Sequence, residues 1–163
     1  MGLGTDNNDP QWLYHYSTNF DEASRAIKRG DVLRIRHYLE LRMDPNLSHR
    51  FGANLLMRAA FEGNTAIGRE LILHGAHLDT QDSHGRTALC TAVHTGHVGF
   101  VELLLDAGAS LDGQAFGGSI EGFLDWALMY GTGSKEAMSR MKPVIKSVRA
   151  KQRRHVTGHE PSD

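Results

Sequence analysis

Apolar residues along this chain fall into short stripes, and a glycine closes each stripe. In GRTALCTAVHTGHVGFVELLLDAGASLD, residues 85–112, one stripe runs to Gly96 and a second, richer in leucine, to Gly108. Shifting the chain by 33 residues brings up nearly the same pattern in GANLLMRAAFEGNTAIGRELILHGAHLD. Gly52 then falls on Gly85, Gly63 on Gly96, and Gly75-Ala76 on Gly108-Ala109. One further period sets Gly30 beneath Gly63, and Ala26 beneath Ala59 and Ala92. The larger apolar positions keep the register: Ala23, Leu56 and Leu89; Ile27, Ala60 and Val93; Tyr38, Leu71 and Leu104; Leu39, Ile72 and Leu105. Asp21, Asn54 and Thr87 also share a register, and each is a residue type that caps a helix N-terminus. Such periodicity is the signature of a repeat architecture.

Each unit predicts a pair of helices. The capping residue opens a first helix of about eight residues, with alanine in its middle so that a neighbour can approach closely. Gly30, Gly63 or Gly96 then ends it, at a position where a left-handed backbone is tolerated. The second helix carries the bulkier stripe, such as Val101, Leu104 and Leu105, and stops at Gly75 or Gly108. Helices this short are marginal in water by themselves. They persist by stacking on copies of themselves, which is why the pattern recurs.

Residues 85–112 are similar to the ankyrin repeat, whose form is G-x-T-P-L-H-x-A-A-x-x-G-H…V-x-x-L-L-x-x-G-A-D. The resemblance covers roughly residues 19 to 145. It implies an all-α solenoid of about four stacked helix-turn-helix units, at 19–46, 47–79, 80–112 and 113–146. An N-terminal extension (1–18), disordered over 1–10, is expected before them and a flexible basic tail (147–163) after. Ala88 and Leu55 replace the family's proline, and Cys90 and Met57 its histidine. The resemblance implies weaker hydrogen-bonded ties between turns at those places.

The outer units depart from the pattern, as terminal repeats of a solenoid do. Arg42 stands at the place of Gly75, and Arg25, Lys28, Arg29, Arg34 and Arg36 suit an outward-facing cap. QWLYHYSTNF, residues 11–20, is aromatic enough to dock on the first unit. Gly131 falls two residues late, so an insertion precedes GFLDWALMYG. Pro143 falls where a helix interior needs a backbone donor, which predicts a break unless a new turn starts there. Met138, Met141, Val144 and Ile145 are set to cover the open end.

Composition narrows the function classes. With a net charge of −1 and 40% apolar residues, the chain carries no global field for nucleic acid or anionic membranes. One cysteine, Cys90, excludes an intrachain disulfide framework and fits a reducing compartment. The start lacks a hydrophobic secretory region and no apolar run approaches a membrane span, so the expected setting is cytoplasmic, with the nucleus as the alternative. His74 and His77, like His94 and His97, are three apart, but no ligand set at zinc spacing completes them. Cys90 lacks the base and orienting group a nucleophile needs, and no phosphate loop is present, so neither catalysis, cofactor nor metal is expected.

The resemblance implies that partners are read by the loop tips and the inner face of the first helices. Carried over position by position, that surface holds Arg50, Phe51, Phe61 and Glu62 in the second unit. It holds Ser83, His84, Arg86 and His94 in the third, and Phe116, Trp126, Met129 and Tyr130 in the fourth. Large apolar side chains at solvent-facing positions mark an interface. The function expected is binding of another protein or peptide by a chain monomeric alone. The alternative is nucleic-acid association through Lys146, Arg149, Lys151, Arg153 and Arg154.

Overall fold

The structure, a computed structural model, describes residues 11–157 apart from 113–118 and 131–132; side chains are described for residues 20–150 outside those gaps, Glu121 excepted. Among the described residues eight helices follow one another: α1 (Gln11–Arg29), α2 (Val32–Glu40), α3 (Leu55–Glu62), α4 (Thr65–Leu73), α5 (Ala88–Thr95), α6 (Val98–Asp106), α7 (Ile120–Tyr130) and α8 (Lys135–Thr157). They form four antiparallel pairs. Odd-numbered helices pack in one row and even-numbered helices in another, so each pair lies on the next. No named strand occurs among the described residues.

Repetition in sequence becomes repetition in contact. Ala26, Ala59 and Ala92 are buried in the first row, where a larger side chain would hold neighbouring helices apart. Ile35, Ile67, Leu71, Phe100, Val101 and Leu104 fill the second row and are fully buried. A Cβ built on Gly68 would lie 2.6 Å from the Phe100 ring, so the small residue in one unit makes room for the large one in the next.

Helix ends follow the predicted signals in the middle units. The side chains of Asn54 and Thr87 accept the N–H groups of Met57 at 2.8 Å and Cys90 at 3.3 Å. Gly63 and Gly96 end α3 and α5 in the left-handed region. Arg42, at the place of Gly75, also takes a left-handed φ of 64°. The turn geometry thus survives without the glycine, at a cost of about 1 kcal/mol.

Side chains tie one unit to the next. The Asn46 Oδ1 accepts the His77 N–H at 2.7 Å, and one period on the Asp79 Oδ1 accepts the Ser110 N–H at 2.9 Å. A further period on, Asp112 meets the Arg149 guanidinium of α8 at 2.6 Å. The His97 ring lies 3.1 Å from the Phe61 carbonyl, a structural role matching the glycine-histidine pair of the resembled family.

The ends differ from expectation in four respects. Asp21 is not a cap: α1 begins ten residues earlier at Gln11 and runs through it, so the whole of QWLYHYSTNF is already helical. Arg36 does not face outward only, since it reaches Glu70 of the second unit at 2.6 Å. Pro143 does not break its helix. α8 continues to Thr157, so residues 147–157 are helix where a flexible tail was expected. Met138, Met141 and Ile145 are buried on that helix, and their packing outweighs the backbone bond that proline removes. Away from the ends, Cys90 of α5 is wholly enclosed.

Candidate interaction groove

Because the first helices of the four units lie side by side, their free faces line one groove of about 540 Å³. α1 contributes Phe20, Asp21 and Ser24, and α3 contributes Met57, Arg58 and Phe61. Cys90, Thr91 and His94 come from α5, Phe123 and Trp126 from α7. His49, Ala53, Asn54, Asp82 and Arg86 enter from the turns ahead of α3 and α5.

Those turns are stiff. In the one ahead of α5 the Asp82 N–H bonds the Arg86 carbonyl at 3.0 Å, and the Gly85 N–H bonds the Asp82 carbonyl at 2.9 Å. The Asp82 carboxylate is buried and accepts the His84 and Arg86 N–H groups and the Arg86 Nε–H at 2.8, 3.0 and 2.9 Å. Burial pushes its pKa up, but those bonds and the Arg86 charge together hold it below the ordinary carboxylate value. In the turn ahead of α3, rings take the place of that charge. His49 lies between Phe20 and Phe51, at 5.9 and 5.5 Å, and the Arg50 guanidinium sits 4.9 Å over Phe51.

The far wall of the groove is aromatic. His94 stacks on Trp126 at 5.8 Å, and Trp126 in turn meets Phe123 at 5.5 Å and Tyr130 at 5.9 Å. Burial first, and the nearby Arg86 charge second, hold the His94 pKa below the ordinary histidine value, so the ring is neutral at pH 7. Phe61 keeps 53% of its surface open and Trp126 keeps 39%, large values for rings of this size.

Of the residues expected at the interface, the structure brings Phe61, Arg86, His94 and Trp126 into the groove. Arg50, Phe51, Ser83 and His84 are exposed at the turn tips outside its lining. Glu62 pairs with Arg58 at 2.8 Å, while Met129 and Tyr130 are exposed at the end of α7; none of the three lines the groove. Phe116 lies outside the described residues. Sequence reasoning missed Phe20, His49, Arg58, Asp82, Thr91 and Phe123. Arg58 and Thr91 had a legible signal, standing three residues before Phe61 and His94 and so on the same helix face. Among the described residues no cluster of three or more His, Cys, Asp or Glu side chains is placed to hold a metal ion. No described helix is long and apolar enough to cross a membrane.

Comparison with known proteins agrees with this architecture. The family described as ankyrin repeats (3 copies) matches residues 23–115, from within the first unit to just past the third. A putative ankyrin repeat protein of fowlpox virus is 39% identical over 86 residues, 52% of this chain and 20% of its own length. The potassium channel AKT2/3 of Arabidopsis thaliana is 31% identical over 84 residues, 52% of this chain and 10% of its own. The potassium channel AKT1 of Oryza sativa is 37% identical over 75 residues, 46% of this chain and 8% of its own. This chain thus spans about a fifth of the viral relative and about a tenth or less of the channels. With more than half its residues matched and its helices stacked in register, the chain belongs to the ankyrin repeat family, a non-enzymatic fold whose repeats bind other proteins.

Proposed function

We propose that this chain holds a partner protein or peptide along the groove of its first helices, with Phe61, Arg86, His94 and Trp126 as contacts. The observation that carries this reading is the open aromatic surface of Phe61 and Trp126 inside a groove with stiff walls. Aromatic and arginine side chains dominate binding energy at interfaces. Walls fixed by caps and inter-unit bonds lose little conformational entropy when a partner docks. Phe61→Ala is expected to weaken partner binding by about 1–3 kcal/mol, the scale of an interface hot spot, with little loss of fold.

The test is a quantitative affinity pull-down with wild type, a Phe61→Ala/Trp126→Ala double variant and a Leu73→Ala control on α4. A partner retained by wild type and control and lost by the double variant supports the reading. Equal retention by all three contradicts it. The alternative through the basic stretch of α8 has less support, because Arg149, one of its five basic residues, is engaged with Asp112.

A further inference from the structure

Charge along the groove is uneven. Its described lining residues include two carboxylates, Asp21 and Asp82. Asp21 is exposed at the α1 end, whereas Asp82 is buried and turned toward the donors of its own turn. The same wall carries two arginines, Arg58 and Arg86, with side chains 33% and 45% open to solvent.

Neither guanidinium is saturated. A guanidinium offers five N–H donors in a planar fork. Arg58 gives its Nη2 to Glu62 at 2.8 Å, lies over the Phe61 ring at 5.7 Å, and keeps a buried Nε–H with no acceptor among the described residues. Arg86 spends Nε and Nη2 on Asp82, at 2.9 and 2.8 Å, which leaves its Nη1 donors for another acceptor. The Nη donors not spent on Glu62 and Asp82 thus stand, open to solvent, beside apolar rings. A neutral segment in the groove would strip water from them without replacing it, and a basic segment would compete with neither Glu62 nor Asp82 for a donor while adding like charge. An acidic side chain answers both, because a carboxylate matches the fork in geometry and sign.

We propose that the groove takes an acidic peptide segment, seating a carboxylate against Arg58 and Arg86 and an adjoining apolar side chain against Phe61 and Trp126. This rests on the groove being the partner surface, and it adds the chemistry that surface selects. Binding of this kind weakens as salt rises, since the arginines are partly open to solvent.

Selection of a displayed random-peptide library on the full chain, followed by titration of synthetic versions of the enriched peptides, tests the inference. Enrichment of Asp or Glu beside an aromatic or large aliphatic residue is expected. Replacing that acid by its amide should weaken binding about tenfold, the scale of a lost charged hydrogen bond. Arg58→Gln and Arg86→Gln should weaken the acidic peptide similarly while barely moving the amide version. Arg58→Lys, which keeps the charge without the fork, should fall between. Thermal unfolding of each variant separates lost recognition from lost fold. Neutral or basic peptides that depend on Trp126→Ala but ignore Arg58→Gln would overturn the acidic preference and leave the groove reading standing. A selection yielding no peptide sensitive to Phe61→Ala, Trp126→Ala or either arginine change would overturn both.

Discussion

The turns at 49–54 and 82–87 are one backbone built twice with different side chains. His49 and Asp82 occupy the same position, and each donates its N–H to the carbonyl four residues on, at 2.8 Å to Ala53 and 3.0 Å to Arg86. Gly52 and Gly85 follow with φ of 78° and 72°, and a capping side chain, Asn54 or Thr87, starts the next helix. What secures the turn from within differs. A buried carboxylate gathers four polar contacts in one, while a histidine ring sits between two phenylalanines in the other. The glycine and the cap therefore set the path of the chain, and the residue at the head of the turn is free to vary. That freedom decides what the groove offers: a ring-lined rim at the α1 end, and an arginine fixed by its own aspartate further along.

The comparison can be sharpened by removing each support. Asp82→Ala leaves buried N–H groups unmet and should cost about 1–3 kcal/mol in urea unfolding. His49→Ala, at an exposed ring, should cost about 0.5 kcal/mol or less. The two turns should also part with pH. Asp82 has a lowered pKa in the fold, so its contribution is present above the ordinary carboxylate value of about 3.9 and is lost as pH falls through its lower folded value. The stability gap between wild type and Asp82→Ala should close over that acid range, and a gap constant down to pH 2 would contradict the role given to the carboxylate.

Backbone changes come next in size. Gly52→Ala places a side chain on a left-handed residue and a Cβ 3.2 Å from the Asp82 Cα. It should cost about 1–2 kcal/mol, and a neutral result would mean that the two turns do not press on each other. Caps follow. Asn54→Ala and Thr87→Ala should each cost about 1 kcal/mol, whereas Asp21→Ala, inside α1, should stay within about 0.5 kcal/mol. Equal losses at all three would restore Asp21 as a cap and shorten α1 in solution.

The cap series also shows what was legible in the sequence. The 33-residue register located the helix pairs of the middle units and the left-handed stops at Gly30, Gly63 and Gly96, while Arg42, read as a departure, keeps the same left-handed turn. It failed where a residue had the right chemistry without the right neighbour. Asp21 has a capping side chain, but it lies inside α1, which already runs from Gln11, whereas Asn54 and Thr87 each follow a turn. Pro143 is a helix breaker by local chemistry, yet Met138 and Met141 before it and Ile145 after it are buried, and tertiary packing carries the helix through. The groove was half legible for a related reason. Phe61 and His94 followed from the register, while Phe20, His49 and Phe123 join them only when the stack puts separate units side by side. Asp82 reads in sequence as an ordinary loop residue, and only its burial shows that it fixes Arg86.

The central claim is that the partner lies along the first helices and not the second. Site-specific photocrosslinking tests it most directly, with a reactive phenylalanine analogue placed singly at Phe61, Trp126, Leu33 or Leu73 and the partner recovered by pull-down added in solution. Crosslinks from positions 61 and 126, with none from 33 or 73 on α2 and α4, are the predicted result. Crosslinks from 33 or 73 with 61 and 126 silent would contradict the account.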